Sequence, residues 1–150
     1  MKPVALAIFL GFVASPVSAD APDAAAEQRK ELEGAWTVTG TKGFPKDVPQ
    51  KDLQELMLIF KGDRVLARYG DKTAEARFKL ILTMAGPSQI DVTVSRGPEA
   101  VNGKTFKGIY LLEDRTLKIS YRDPGKARPS TFTDEGEAGV YTISLKKMKQ

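Results

Sequence analysis

Hydrophobic and polar residues alternate along most of the chain after residue 34, with the period of two that is typical of β-strands with one buried face. The alternation is clearest in TAEARFKLIL, residues 73–82. Every second residue in this segment is apolar, and these residues are Ala74, Ala76, Phe78, Leu80 and Leu82. Charged residues separate most of them, so the segment predicts a strand that buries one face.

Segments with the same alternation follow one another at short intervals and predict eight strands. They are GAWTVTG (34–40), LMLIFKG (56–62), RVLARYG (64–70), TAEARFKLIL (73–82), SQIDVTVSR (88–96), KTFKGIYLLED (104–114), RTLKISYR (115–122) and GVYTISLKK (139–147). Turn residues such as Gly62-Asp63 separate them. The stretch from Asp123 to Gly139 is long for a loop without structure. A ninth short strand is therefore predicted at RPSTFT, residues 128–133.

The order of these segments predicts an all-β fold. Eight or nine consecutive antiparallel strands without a crossover helix would leave two free edges in an open sheet, and closure into a barrel removes both. We therefore expect a single up-and-down antiparallel β-barrel over residues 34–148. A β-sandwich is the alternative, because alternation does not distinguish closure from stacking. Residues 20–33 are expected to form a leader that is either a short helix or disordered.

The first residues have the three parts of a secretory signal. In MKPVALAIFLGFVASPVSA, residues 1–19, Lys2 provides the positive start, residues 4–13 an apolar stretch and residues 17–19 the small side chains of a cleavage site. The apolar stretch is short for about 30 Å of hydrocarbon, which disfavours an uncleaved anchor. We expect cleavage near Ala19 and export to the periplasm or the extracellular space, with no transmembrane segment in the mature chain.

The composition is that of one ordinary globular domain. The chain has 150 residues, of which 41% are hydrophobic and 28% charged, which suffices for one buried core. It has no cysteine, so packing rather than disulfides must stabilise the fold. It has no histidine either, so the commonest general base and transition-metal ligand is missing. The formal net charge of +4 is a mild excess that gives no argument for nucleic-acid binding.

Several segments together resemble one family. LEGAWTVTG, LMLIFKGDRV, GKTFKGIYLLEDRTLKISY and GKARPSTF are similar to an uncharacterised family of secreted bacterial domains, abundant in planctomycetes and regarded as lipocalin-like. The resemblance spans residues 32–147 and implies an eight-stranded barrel of lipocalin type, with no particular activity. It also implies that Trp36 packs across the closed end of the barrel near a basic residue of the last strand, for which Lys146 is the candidate.

The predicted interior mixes large aromatic residues with small ones. An eight-stranded barrel is near the size at which side chains fill the interior or leave space for one small ligand. Ala67, Ala74, Ala76 and Gly108 would leave such space, or would offset bulky aromatic residues opposite them. The candidate ligand-binding residues are Trp36, Tyr69, Phe78, Phe106, Tyr110, Tyr121 and Arg128.

Two of these candidates have structural alternatives. For Trp36 a core plug is favoured over a ligand-stacking platform, since large aromatic residues dominate the energetics of cores. Arg128 would bind a carboxylate or phosphate at the barrel mouth, assisted by Lys126, or would pair with Asp123 or Asp134 and hold a loop. The loop interpretation of Arg128 is favoured, because structural ion pairs are common.

Motifs for catalysis or metal binding are weak. Ser144 and Lys147 match S-x-x-K, but they lie on a predicted strand rather than at a helix start. The sequence DEGE, residues 134–137, lacks the alternating spacing of a calcium loop, so a solvated turn is favoured. The basic tail LKKMKQ, residues 145–150, has too few lysines for a lipid-binding cluster. We expect no enzyme activity, no metal and no cofactor.

Three functional hypotheses follow. The first is a non-enzymatic binding module that holds a small hydrophobic or amphiphilic ligand. The second is a packed barrel that acts as a protein-interaction or structural module through its outer face and loops. One contiguous exposed patch of Ile59, Leu66, Ile109 and Leu111 would favour it. The third and least favoured is a carboxylate-based hydrolase, which needs two convergent carboxylates or a Lys–Ser pair in a cleft.

Overall fold

The described part of the chain forms eight strands and two helices. The computed structural model describes residues 15–45, 48–132 and 139–149. The helices within this part are α1 (Ser15–Leu32) and α2 (Gln50–Gln54). The strands are β1 (Gly34–Lys42), β2 (Met57–Lys61), β3 (Arg64–Tyr69), β4 (Lys72–Ile81), β5 (Ser88–Arg96), β6 (Thr105–Glu113), β7 (Thr116–Arg122) and β8 (Val140–Lys147).

The strands form one closed antiparallel barrel. Each strand pairs with the strands next to it in sequence, and β8 pairs with β1 to close the sheet. The predicted up-and-down barrel is confirmed, and the sandwich alternative is wrong because closure leaves no free edge. The predicted ninth strand is absent from residues 128–132. These residues instead follow the outer face, where Arg128 donates a hydrogen bond to the Gly108 carbonyl of β6 at 3.0 Å.

The core lies on the strand faces that the alternation predicts. Phe60 of β2 and Phe78 of β4 meet edge to face inside the barrel, with ring centroids 5.2 Å apart. The buried core consists of Leu32, Trp36, Phe60, Val65, Ala76, Phe78, Leu80, Ile90, Tyr110, Leu117, Ile119, Ile143 and Leu145. Leu32 is the only one of these residues that does not come from a strand, so α1 contributes directly to the core.

One end of the barrel is sealed by α1. The β2–β3, β4–β5 and β6–β7 connections lie at this end, because strands that run up and down alternate their connections between the two ends; we call it the closed end. Leu32, the last residue of α1, and Trp36 on β1 are both fully buried there. The indole N–H of Trp36 donates a hydrogen bond to the Leu32 carbonyl at 2.8 Å. The helix end and the tryptophan therefore cap the core as one unit.

A lysine from the last strand lies over this cap. Lys147 stands opposite Trp36 in the β1–β8 ladder, and its ammonium is 5.7 Å from the centroid of the Trp36 ring, within range of a cation–π interaction. The ammonium also donates a hydrogen bond to the Glu31 carbonyl at 2.9 Å. The predicted partner, Lys146, is wrong by one residue. Lys146 is exposed, because neighbouring residues of a strand point to opposite faces.

Two further contacts tie α1 and the residue after it to the closed end. The Glu33 carboxylate accepts a hydrogen bond from the backbone N–H of Gly62, in the β2–β3 turn, at 3.2 Å. The Tyr110 hydroxyl of β6 donates a hydrogen bond to the side-chain carbonyl of Gln28. The helix is thus attached to strands on different sides of the barrel, and its orientation is fixed relative to the core.

The N-terminal segment is helical over most of the predicted leader. Helix α1 covers all but the last residue of the leader, residues 20–33, and it begins earlier, at Ser15, within the segment predicted to be the export signal. Residues 1–14 of that signal lie outside the described residues. In the part of the chain that the structure describes, no helix has the length and hydropathy to cross a bilayer.

Two glycines allow segments to approach closely. Gly43, directly after β1, has a φ of +84°, and a Cβ built there would overlap the Val140 carbonyl oxygen. At Gly108 on β6, a Cβ would lie 2.7 Å from the Ser120 carbonyl oxygen of β7. Gly43 combines a left-handed backbone with a backbone clash, so any other residue would have to displace the start of β8.

We expect Gly43→Ala to lower the free energy of unfolding by at least about 2 kcal/mol, because the variant adds backbone strain to a clash. Urea denaturation would measure the change. Gly40→Ala is the matched control, since nothing lies within 4 Å of a Cβ at Gly40, and its free energy of unfolding should change by less than about 0.5 kcal/mol. Equal losses in the two variants would contradict this account.

Candidate functional site

Small residues on β3, β4 and β6 leave space inside the barrel. Ala67 lies opposite Ala74 in the β3–β4 ladder, and Val65 lies opposite Ala76. On β6, Gly108 stands at an interior position. Because an eight-stranded barrel is just wide enough for its side chains to fill it, small residues on adjacent strands open a void. The result is a cavity of about 250 Å³.

The wall of this cavity is almost entirely hydrocarbon. It consists of Leu56, Leu58, Phe60, Val65, Ala67, Ala74, Glu75, Ala76, Ile90, Val92, Val94, Phe106, Gly108, Ile119, Tyr121 and Ile143. Of these, only Glu75 and Tyr121 have polar side-chain atoms, and Glu75 also borders a groove on the outer surface. A buried water needs about two to four polar partners. The wall offers few, so the cavity favours apolar contents over water.

The cavity opens at the end opposite α1, which we call the open end. At β2, Leu56 and Leu58 are half-buried, whereas Phe60, nearer the closed end, is buried. On β4 the exposure falls in the same direction, from half-buried Ala74 to buried Ala76. All these residues line the cavity, so their partial exposure shows that solvent enters from the open end.

Four aromatic residues stand in a row at the open end. The rings of Phe106 and Tyr121 meet at 88° with centroids 5.7 Å apart. Tyr121 lies opposite Tyr141 in the β7–β8 ladder, with centroids 5.4 Å apart. Tyr141 in turn lies 5.2 Å from the ring of Phe44, which follows β1. Since Phe106 and Tyr121 line the cavity, this aromatic row leads from the cavity wall toward the loops of the open end.

A carboxylate lies beside the hydroxyls of the aromatic row. Asp123, the residue after β7, is exposed and lies close enough to the Tyr141 hydroxyl to influence its pKa. Burial raises the pKa of Tyr121, and the nearby Tyr141 and Asp123 raise it further. Burial and the contact with Asp123 also raise the pKa of Tyr141. Both phenols are therefore neutral at physiological pH and surround a carboxylate with aromatic surface.

The predicted ligand-binding residues lie at different levels along the barrel axis, and only some of them reach the cavity. Phe106 and Tyr121 line the cavity. Trp36, Phe78 and Tyr110 are buried core residues outside the cavity wall. For Trp36 this position agrees with the core-plug interpretation, since its indole N–H is used by the backbone of α1.

The sequence predicted the role of the other open-end residues less accurately. Tyr69, a predicted ligand-binding residue, ends β3 and is half-buried but outside the cavity wall. Sequence reasoning missed Phe44, Tyr141 and Asp123 as site residues. Tyr141 had an available signal, because it shares the interior-facing alternation of Ile143. Phe44 and Asp123 lie in connections, whose course no periodicity predicts.

Arg128 is not at the barrel mouth. Its guanidinium lies on the outer face, 2.8 Å from the carboxylate of Asp91 on β5, and donates to the Gly108 carbonyl at 3.0 Å. Both partners of the ion pair are largely buried, with 19% and 25% of their side chains exposed. Arg128 therefore holds a loop, as the favoured interpretation requires, but Asp91 replaces the predicted Asp123 or Asp134. Asp134 lies outside the described residues.

The segment that Arg128 anchors, residues 123–132, covers part of the outer face of the barrel. Pro129 in this segment is fully buried. Outward-facing Ser120 and Thr142, on β7 and β8, are also buried and share a hydrogen bond of 2.8 Å. Ile109, which faces outward on β6, is only 2% exposed. The outer face of these strands is therefore a second packed layer rather than a free surface.

This packing removes the apolar patch that would have favoured the second hypothesis. Ile109 is buried, and Ile59 and Leu66 are half-buried. Leu111 on β6 is 46% exposed, but β6 lies across the barrel from β2 and β3, which carry Ile59 and Leu66. The four residues do not form one contiguous exposed surface.

The chemistry that the third hypothesis requires is not assembled at the cavity. Ser144 and Lys147 are an odd number of positions apart and face opposite sides of β8. Glu75 is the one acidic residue in the cavity wall. Within the described ranges, no three His, Cys, Asp or Glu residues are grouped as a metal site would require. The acidic loop at residues 134–137 lies outside those ranges.

Comparisons of the chain with protein-family models, with curated proteins and with solved structures found no match. The resemblance to lipocalin-like secreted domains therefore stays a prediction from the sequence. The functional interpretation rests on the geometry of the cavity and of the open end.

The burial of Tyr110 predicts a loss of stability at alkaline pH. Burial is the main cause that raises the pKa of Tyr110 from 10.0 to about 12. In the unfolded chain the phenol loses its proton near pH 10, while the folded protein keeps it until about pH 12. Between these values the folded state binds more protons. The free energy of unfolding therefore falls as pH rises, by up to about 1.4 kcal/mol per pH unit from this group.

We expect Tyr110→Phe to make this alkaline decrease shallower, because the variant removes the titrating group. Urea denaturation at a series of alkaline pH values would measure the slope. At neutral pH the variant should lose about 1 kcal/mol, since Gln28 loses its hydrogen-bond partner. A slope identical to that of the unaltered protein would contradict the assignment.

Arg128→Met should loosen the segment over the outer face. Leaving the largely buried Asp91 carboxylate without its partner should lower the free energy of unfolding by about 1.5–3 kcal/mol. Cleavage within residues 123–132 under limited proteolysis should also become faster. Lys126→Met, an exposed position in the same segment, is the control and should change stability by less than about 0.5 kcal/mol. Similar effects of the two variants would show that the ion pair does not anchor the segment.

Proposed function

We propose that the protein binds a small hydrophobic or amphiphilic molecule inside the barrel, without catalysing a reaction on it. The observation that carries the proposal is the cavity of about 250 Å³ with its apolar wall. Transfer of apolar surface from water to such a wall is favourable by about 25 cal/mol per Å². The open end supplies the route by which a ligand would enter.

The volume of the cavity limits the size of the ligand. An apolar cavity of about 150 Å³ engineered in another protein stays dry and holds benzene. Pockets for drug-sized ligands span about 300–1,000 Å³. At about 250 Å³, the cavity suits a molecule between these sizes, such as a short alkyl chain or a single substituted ring.

The cavity does not depend on a ligand for its support. Next to it, Phe60 and Phe78 pack edge to face, and Trp36 is fully buried. The closed ladder of hydrogen bonds holds every strand of the wall in place. A pre-formed site loses little conformational entropy on binding, so even the limited contact area of a small ligand supports measurable affinity.

We propose also that binding takes place outside the cytoplasm. Support for this part comes from the sequence alone, from the charged start, apolar stretch and small-residue exit of residues 1–19. The absence of cysteine is compatible with an exported protein whose stability comes from a closed sheet and a packed core.

Filling the cavity should remove the binding activity. In the double variant Ala67→Leu/Ala74→Leu, two facing side chains of β3 and β4 grow into the void. We expect its affinity for hexyl alcohol, measured by isothermal titration calorimetry, to be at least about tenfold weaker than that of the unaltered protein. Its free energy of unfolding should fall by no more than about 1 kcal/mol, because the added atoms occupy empty space.

Ala85→Leu provides the matched control. Ala85 is exposed in the β4–β5 connection at the closed end, so this variant should bind hexyl alcohol as the unaltered protein does. Native mass spectrometry of the purified mature chain would show directly whether a molecule is carried along from the cell. Equal affinity of the double variant and the unaltered protein would overturn the proposal, since the alcohol would then bind elsewhere.

A further inference from the structure

We propose that the open end selects ligands with a cationic ammonium head, so that the cavity receives the apolar part of an amphiphilic amine. This inference rests on the proposed function and adds the chemical class of the ligand. It derives from the aromatic row and the Asp123 carboxylate, which stand together where the apolar cavity meets solvent.

The aromatic row presents ring surfaces in different orientations. Phe106 and Tyr121 meet at 88°, and Tyr121 and Tyr141 are tilted by 48°. The rings contact one another at these distances, and the ring faces that no neighbour covers can contact a quaternary ammonium group through a cation–π interaction. A ligand whose tail lies in the cavity would place its head next to these rings, because Phe106 and Tyr121 belong to both the wall and the row.

The charged group at this place has the sign that an ammonium requires. Asp123 is exposed and follows Tyr121 by two residues at the open end, next to the Tyr141 hydroxyl, so its carboxylate lies beside the aromatic row. The same carboxylate raises the pKa values of Tyr121 and Tyr141, which means that the site disfavours an additional negative charge. A cationic head would instead be attracted by the carboxylate and by the ring faces.

Basic residues do not cancel the preference for a cationic head at the cavity. The wall contains neither lysine nor arginine. The Arg122 guanidinium donates to the Ala127 carbonyl at 3.2 Å, on the outer side of β7. Lys72 is exposed at the first position of β4, opposite Tyr69, and β4 lies across the barrel from the β8 strand that carries Tyr141. Neither the cavity wall nor the aromatic row contains a cation that would pair with a carboxylate head.

Three probes with one tail test the inference. Hexyltrimethylammonium, hexyl alcohol and heptanoate carry the same hexyl tail and differ only in the head, and isothermal titration calorimetry with the mature chain compares their affinities. We expect the ammonium to bind about tenfold more tightly than the alcohol, the range of a partly desolvated cation–π contact with a nearby carboxylate. Heptanoate should bind more weakly than the alcohol.

Variants of the open end should change this selectivity without changing the affinity for the tail. Asp123→Asn keeps the shape of the side chain and removes its charge, so the preference for the ammonium over the alcohol should fall severalfold while the alcohol binds as before. Asp114→Asn is the matched control at the closed end, because Asp114 adopts a φ of 50° that asparagine tolerates. Tyr141→Phe keeps the ring and removes the hydroxyl next to the Asp123 carboxylate. Its preference for the ammonium over the alcohol should be intermediate.

The outcomes separate the two proposals. If the alcohol or heptanoate binds as tightly as the ammonium, or if Asp123→Asn leaves the preference unchanged, the selectivity inference is overturned and the cavity remains a general apolar site. If none of the three probes binds, the proposed function and the inference both fail. Binding of all three that persists in Ala67→Leu/Ala74→Leu likewise excludes the cavity as the site.

Discussion

The seal formed by Trp36 and Leu32 is the contact on which the rest of the barrel depends. An open tube of eight strands would admit water at both ends and lose the hydrophobic driving force of its core. The indole N–H bonded to the last turn of α1 closes one end with a polar group satisfied, and Lys147 covers the outside. Because one end is closed, small residues near the other end produce a blind cavity rather than a channel.

The alternation of residue types was sufficient to predict which side chains enter the barrel. Ala67, Ala74 and Ala76 were assigned to the interior from sequence and line the cavity, because the pleat allows only two faces. Height along the barrel was not predictable in this way. Phe78 and Phe106 both face the interior, yet Phe78 belongs to the core and Phe106 to the cavity wall. That difference arises from the stagger of the strands around a closed sheet.

Contacts that join distant connections were also beyond the reach of the sequence. Asp91 is an ordinary outward residue of β5 until residues 123–132 fold over it, so nothing local identifies it as the partner of Arg128. The exchange of Lys146 for Lys147 has a simpler origin. Residues 145 and 147 share one face of β8, so the alternation that places Leu145 in the core also places Lys147, and not Lys146, opposite Trp36.

The pairing of β1 with β8 has a consequence for how the protein acquires its structure. Every other ladder joins strands that are neighbours in the sequence, but this seam joins the first strand to the last, with Trp36 opposite Lys147. Contacts of such sequence separation are slow to form, because the closure of a long loop costs entropy before any contact compensates for it. Until the final strand has emerged, the nascent chain holds a sheet with two unpaired edges and an unsealed core. Formation of the seam is therefore the step that commits the chain to its native state, and a chain cut before residue 140 would be left in an aggregation-prone form.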